Sequence, residues 1–529
     1  MKHKIRKDAT LKISRRGFAK GLTTALIAVP FSVRAQEGPL SARIKIDTER
    51  VIGDIDQKIY GNFIEHLGRC IDGGVFEEGS PLSDSNGFRR DVLEAARELN
   101  VTQLRWPGGN FSSNYHWTDG IGPRDKRPPR LEMAWGTVES NRFGTHEFLQ
   151  YAEMMKTDPY ICVNLGTGTW TEAQQWVEYV NSSQDTAMTR LRKQNGRQEP
   201  WKVTYWGLGN EMDGPWQMGH RSADDYGKFA LEAAKLMRWT DPNIKLIAAG
   251  SSNFGQGIDW IGWNRTILEH LKNHIDYLSI HLYVGNRDND YYEYLTSSLD
   301  LDERIRTTEG VINAAMSGMP RNRRIYIAWD EWNVWYRARG PQQRGRRILE
   351  ERYNLEDALV VATLLNSFVN HAHIIKMANM AQLVNVIAPI FTDDKRLFLQ
   401  TIYYPLRLFA KNTRGRALEL FMESPKYESK RFGLTPYLSA SAAYDDGSVV
   451  LNMVNRHRDQ QIDVEFEAQD KQFAGPVEVT EVNGPDIKAE NDFGVTKAQP
   501  VTRSTNADGR KLHYRLSPHS YTMLKAKLG

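Results

Sequence analysis

The sequence predicts an α/β chain: a (β/α)8 TIM barrel with an accessory C-terminal β-sandwich. Three observations carry this. From about residue 57 to 390, eight short runs of β-branched and aromatic residues alternate with amphipathic runs, the pattern of parallel strands and crossover helices. After about residue 393, short runs are split by Gly, Pro, Asn and Asp, as in an antiparallel sandwich. And 529 residues exceed what one hydrophobic core holds.

The expected barrel strands are Lys58–Phe63, Val101–Trp106, Tyr160–Asn164, Val203–Trp206, Lys245–Ala249, Tyr277–Tyr283, Arg324–Trp329 and His373–Ala378. Helical spacing appears in Asp91–Asn100, Thr145–Lys156, Thr171–Asn181, Ser222–Trp239 and Glu356–Val369. Several of these begin at Ser, Thr or Asp, the side chains that cap a helix start. A doubly wound open sheet is the alternative, but the chain carries no glycine-rich phosphate fingerprint. The expected sandwich strands include Ser448–Asn455, Ile462–Phe466, Val477–Val482 and Tyr521–Lys527. The run Ala42–Asp47 is expected to join them. The expected organisation is 1–35 export signal, 36–56 N-terminal strand of the sandwich, 57–392 catalytic barrel and 393–529 sandwich.

Charge is distributed unevenly. The chain has 69 Lys and Arg against 65 Asp and Glu, but residues 1–35 hold nine of the bases and one acid. The remainder has 60 bases and 64 acids, a net of −4, so no nucleic-acid partner is expected. The leader carries Arg15 and Arg16 before the apolar run Gly21–Val33, with Val33-Arg34-Ala35 as a cleavage site. This resembles a bacterial twin-arginine export signal and leads to the expectation of a periplasmic or secreted protein. The run is short for a bilayer span, so no stable membrane association is expected after cleavage. Cys70 and Cys162 do not make a disulfide framework and read as structural thiols.

Chemistry concentrates on two glutamates. Glu211 ends the run Val203–Glu211, and Glu331 lies in Arg324–Trp335. A carboxylate at the C-terminal end of a barrel strand sits on the face that holds active sites. Two of them are what glycoside hydrolysis needs: an acid for the departing oxygen and an anion for the developing oxocarbenium ion. Close spacing gives retention and wider spacing inversion. Glu211, preceded by Asn210 and followed by Trp216, suits the acid/base. Glu331, among Trp329, Trp332 and Trp335, suits the nucleophile. His281 reads equally as a core or a site histidine. His371 and His373 are two residues apart with no carboxylate cluster near them in sequence, so no metal is expected; nor is a cofactor.

The chain resembles glycoside hydrolase family fifty-one, the retaining α-L-arabinofuranosidases. The matching stretches are Gly61–Arg69 (GNFIEHLGR), Arg105–Phe111 (RWPGGNF), Phe143–Phe148 (FGTHEF), Tyr205–Asp213 (YWGLGNEMD), Asp330–Tyr336 (DEWNVWY) and Met377–Val386 (MANMAQLVNV). The resemblance implies a (β/α)8 barrel with a sandwich built around its C-terminal part, Glu211 as acid/base and Glu331 as nucleophile. It further implies that Asn210 meets the sugar 2-hydroxyl, and that Glu65, Arg105, Asn110 and Gln382 bind the furanose hydroxyls. Tyr283 would orient the nucleophile, and Trp135 and Trp335 would line the site near the aglycone. The apolar Leu282 and Val284 beside Tyr283 depart from the polar surroundings that the resemblance leads one to expect. The expected partner is an arabinofuranoside-bearing oligo- or polysaccharide, and a homo-oligomer such as a hexamer is expected by the same resemblance. A β-D-galactofuranosidase, an endo-glucanase and a non-catalytic carbohydrate-binding barrel are the alternatives.

Overall fold

The structure, a computed structural model, describes residues 39–339, 345 and 347–529. Eight parallel strands close into a barrel: β1 Gly61–Phe63, β2 Gln103–Trp106, β3 Asp158–Val163, β4 Tyr205–Leu208, β5 Lys245–Ala248, β6 Tyr277–Val284, β7 Tyr326–Val334 and β8 Ile375–Ala381. Each pairs with its neighbour in the chain, and β8 returns to β1 with Asn379 opposite Gly61. All eight expected runs therefore contribute a strand. The first is shorter than expected. Asp56 accepts a hydrogen bond from the Lys58 N–H at 3.1 Å, and this local bond winds Gln57–Tyr60 into a 3-10 turn before the strand begins.

Helices Arg90–Leu99, Thr145–Met155, Trp170–Asn181, Ala223–Thr240 and Leu355–Asn370 follow the amphipathic runs. Trp260–Leu271, Ser297–Ala315 and Tyr403–Asn412 complete the ring of eight, the last packing against both Leu355–Asn370 and Arg90–Leu99. No helix among the described residues is long and apolar enough to cross a membrane.

A four-stranded and a seven-stranded sheet form the sandwich. Its core includes Ile44, Leu451, Val464 and Leu524. The expectation of a wholly antiparallel sandwich is corrected at one place. Leu40–Ile46 runs parallel to Ile462–Ala468, with Leu40 opposite Ile462. A strand that arrives from some four hundred residues away along the chain is free of the hairpin connection that enforces antiparallel pairing.

The seven-stranded sheet is buried on both faces. In Ser448–Asn455, Val449, Leu451 and Met453 enter the sandwich core, whereas Val450 and Val454 join the barrel's core. Helix Leu355–Asn370 lies between this sheet and the barrel. Nearly every residue along it is buried, as expected of a helix with neighbours all round. Asn354 and Asp357 cap its start reciprocally. The sandwich thereby holds the barrel wall that carries β7 and β8.

Cys70 and Cys162 are free and buried. Burial pushes the Cys70 thiol up to about 12, which leaves it inert at neutral pH.

Candidate active site

The C-terminal ends of the strands open into a cleft of about 1080 Å³. Glu211 follows β4 with its backbone at φ 46°, in the left-handed region that non-glycine residues seldom occupy. Glu331 lies within β7. The register of β7 against β8 slips between Trp329 and Trp332, and that of β6 against β7 slips between Ser279 and His281. Such irregularities re-aim side chains, and here two successive acids both reach inward. Asp330 accepts from the Tyr160 hydroxyl at 2.7 Å, while Glu331 faces the cleft. Trp329 and Trp332 were expected beside the nucleophile. They instead point away from it into the barrel–helix core, against Phe368, because the slip between them breaks strict alternation: Asp330 and Glu331 both turn inward, and the residues on either side turn out.

Both Glu331 oxygens are engaged. Oε1 accepts from the Tyr283 hydroxyl at 2.8 Å and Oε2 from Arg105 Nη1 at 3.0 Å. Glu211 Oε1 lies 3.0 Å from His281 Nδ1, and Oε2 accepts from Trp216 Nε1 at 2.6 Å. An oxygen of each glutamate and a ring nitrogen of His281 all lie within 4.8 Å of one another. That is the close spacing of a retaining pair. Three such donors can also ligate a cation. Arg105, however, already places a guanidinium against Glu331, and Tyr283 and Trp216 spend their N–H and O–H donors on the same carboxylates.

Burial raises Glu211, the charge of Glu331 adds to the rise, and the bond to His281 opposes it. Burial alone would lower His281. The carboxylates of Glu331, Asp330 and Glu211 outweigh it and lift the imidazole to about 10. His281 is thus an imidazolium set among three acids. Asp330 shows the opposite balance. Burial disfavours its charge, but Arg105, His281 and Ser279 hold it down at about 2.

Glu65 lies across the cleft. It accepts from the Phe111 N–H at 3.0 Å, Trp135 Nε1 at 3.2 Å and Gln382 Nε2 at 2.9 Å. Burial, and then the charge of Glu331, push its carboxyl up to about 8. A Cβ added to Gly109 would lie 2.7 Å from Glu65 Oε2, so this turn needs glycine. Gly109→Ala is expected to displace the carboxyl and lower the kcat/KM of glycoside hydrolysis by roughly 10- to 100-fold. Unaltered kinetics would show that Glu65 tolerates the shift.

Of the ten residues singled out in the sequence, Glu65, Asn110, Trp135, Glu211, Tyr283, Glu331, Trp335 and Gln382 line the cleft. Arg105 and Asn210 lie beneath it, each 1% exposed. Arg105 Nη2 donates to Asn210 Oδ1 at 2.5 Å, and its guanidinium stacks over Phe63 at 4.5 Å. The structure thus gives Arg105 protein partners on several sides. Leu282 and Val284, the two departures, also face the cleft. Asp330 was given no role in the sequence, and His281 read equally as a core or a site residue. Their signal was present: His281 stands two residues from Tyr283, on the same strand face, and Asp330 precedes Glu331.

A closed barrel with two facing carboxylates at the C-terminal ends of β4 and β7 defines a glycoside hydrolase of the retaining type. Two family models match the chain: the α-L-arabinofuranosidase 1 domain over residues 95–298 and the α-L-arabinofuranosidase C-terminal domain over residues 330–520. The chain is 40% identical to the intracellular exo-α-(1→5)-L-arabinofuranosidase 1 of Bacillus subtilis, across 92% of this chain and 99% of that one. It is 39% identical to the intracellular exo-α-(1→5)-L-arabinofuranosidase of Halalkalibacterium halodurans, with the same shares covered. Among solved structures it matches the α-L-arabinofuranosidase of Thermotoga maritima in complex with arabinose. There the TM-score is 0.85 and the identity 37%, across 92% of this chain and all of that one. The chain belongs to the α-L-arabinofuranosidases of glycoside hydrolase family fifty-one.

One expectation does not stand. The relatives from B. subtilis and H. halodurans are both named as intracellular enzymes, which overturns the periplasmic or secreted location inferred from residues 1–35. A pair of arginines before a short apolar run is a pattern of few residues and low specificity, and those residues lie outside the described ones.

Proposed function

We propose that this chain releases terminal α-L-arabinofuranosyl residues from arabinose-bearing plant oligo- or polysaccharides by double displacement. The observation that carries it is the approach of Glu211 and Glu331 to within 4.8 Å across the cleft. Glu331, held at both oxygens, attacks the anomeric carbon. Glu211 gives its proton to the departing glycosidic oxygen, and the bond from that carbon to the aglycone breaks. The sugar is then an ester of Glu331. In the second step Glu211, now a carboxylate, takes a proton from water. The water oxygen attacks the same carbon from the face the aglycone left, and Glu331 is freed. Two inversions give net retention.

Glu65, Gln382, Asn110 and Trp135 form the wall against which the furanose hydroxyls sit. Asn210 and Arg105 act from below, Arg105 by holding Glu331 Oε2. As each acid changes charge during turnover, the imidazolium of His281 balances it at close range. Turnover of a panel of aryl furanosides and pyranosides tests the reading. The expected result is hydrolysis of the α-L-arabinofuranoside at least about tenfold above the β-D-galactofuranoside. A preference for the galactofuranoside or for a glucoside would overturn it.

A further inference from the structure

The cleft extends beyond the two glutamates, and its outer part is charged. Most of those charges are spent on each other. Asp290 pairs with Lys430 at 2.5 Å, Asp300 pairs with Arg304 at 3.1 Å and with Arg431, and Glu293 accepts from the Lys430 N–H at 2.9 Å. Asp288, on the same wall, acts on Lys430. Two cations stand apart. Arg287 and Arg339 line the cleft, are exposed, and form no ion pair with any described carboxylate.

Arg339 is held in place. Its guanidinium lies 3.7 Å from the centre of the Trp335 ring. Trp335 in turn meets Tyr283 edge-on at 5.3 Å, and Tyr283 bonds Glu331. The guanidinium thus sits two side chains away from the nucleophile, on the cleft side that Trp335 lines. The backbone leading to it is clamped as well. The buried carboxylate of Glu351 accepts from the N–H groups of Tyr336, Arg337 and Ala338 at 3.1, 2.8 and 2.6 Å. That spends the nearest acid on the backbone. Arg337 is not part of the patch, because it pairs with Asp357 at 2.8 Å. Partial loss of hydration and repulsion from Arg287 make Arg339 less ready to hold its charge, and the Glu351 carboxylate offsets them only in part. In sequence, residues 337–347 carry five arginines and no acid.

We propose that Arg287 and Arg339 form an aglycone subsite for a carboxylate, so that the enzyme favours arabinofuranosyl units attached to a uronate-bearing sugar. The inference rests on the glycosidase reading above. A guanidinium presents paired N–H donors matched to a carboxylate, and the Trp335 ring offers an apolar face to the sugar that carries it. Because the charge lies away from the reacting atoms, its effect belongs mainly in KM.

The test compares two matched substrates, an α-L-arabinofuranosyl hexuronate and the same disaccharide with its carboxylate reduced to the alcohol. Galacturonate and glucuronate are run as separate arms to identify which ring is accepted. At low ionic strength the wild-type enzyme is expected to favour the acid by about tenfold in kcat/KM in at least one arm, and added salt should shrink that ratio. In the R287Q/R339Q variant the ratio should fall to about one, and R287K/R339K should recover part of it. Equal turnover of acid and alcohol in both arms overturns the subsite, as does a preference that salt leaves unaltered or that survives R287Q/R339Q. If the double variant does not fold, the wild-type salt series decides. Failure of the wild-type enzyme on a neutral aryl arabinofuranoside would strike the glycosidase reading instead.

Discussion

Glu331→Ala is expected to lower kcat on an aryl α-L-arabinofuranoside by at least about 10⁴-fold, about 5 kcal/mol of barrier. No other described side chain can take its place. Asp330, the adjacent acid, is engaged by Tyr160 and Ser279 below the cleft and is 1% exposed. The variant also leaves Arg105 with one fewer partner for a buried charge, so its thermal stability should be recorded beside the kinetics. Azide fits the space the side chain vacates and approaches the anomeric carbon from the nucleophile's face. Restored turnover that yields the arabinosyl azide of inverted configuration identifies Glu331. An azide of retained configuration, or undiminished hydrolysis without azide, would reject the assignment.

Glu211→Ala should show a different signature. Natural linkages, whose departing oxygen needs a proton, should lose about 10²- to 10⁴-fold. A dinitrophenyl arabinofuranoside, whose leaving group departs unprotonated, should still glycosylate Glu331, so that a burst precedes slow release. Azide should then attack the ester from the opposite face and give the retained product. The pH profile follows from the same environment. Glu211 must be protonated for the first step, and burial together with Glu331 raises its pKa. Activity on natural linkages is therefore kept as pH rises past the ordinary carboxyl range and is lost when Glu211 ionises. His281 opposes that rise, so His281→Gln should move the alkaline limb to higher pH. A limb that moves down would mean that another group sets it.

Much of this was legible in the chain. Each barrel strand announced itself because a parallel strand buried on both faces is a nearly continuous apolar run. The two glutamates were legible because each ends such a run. The roles of Trp329 and Trp332 were misread, since their neighbourhood in sequence says nothing of which strand face they take once the register slips. The parallel pairing of Leu40–Ile46 was hidden for a related reason. Local pattern marks a strand, but not the direction of a partner supplied from the far end of the chain. The location inferred from residues 1–35 failed on specificity rather than on physics.

The sequence by itself determined the alternation of elements and the placement of Glu211 and Glu331 toward the C-terminal ends of strand-like runs. Those are consequences of local periodicity. Only the tertiary structure decided that His281 is charged among three acids, that Arg105 lies beneath the cleft, and that Arg287 and Arg339 stand at its outer wall with no ion pair to a described carboxylate. A charge state depends on burial and on every charge within a few ångströms, and barrel closure draws those neighbours from strands far apart in the chain.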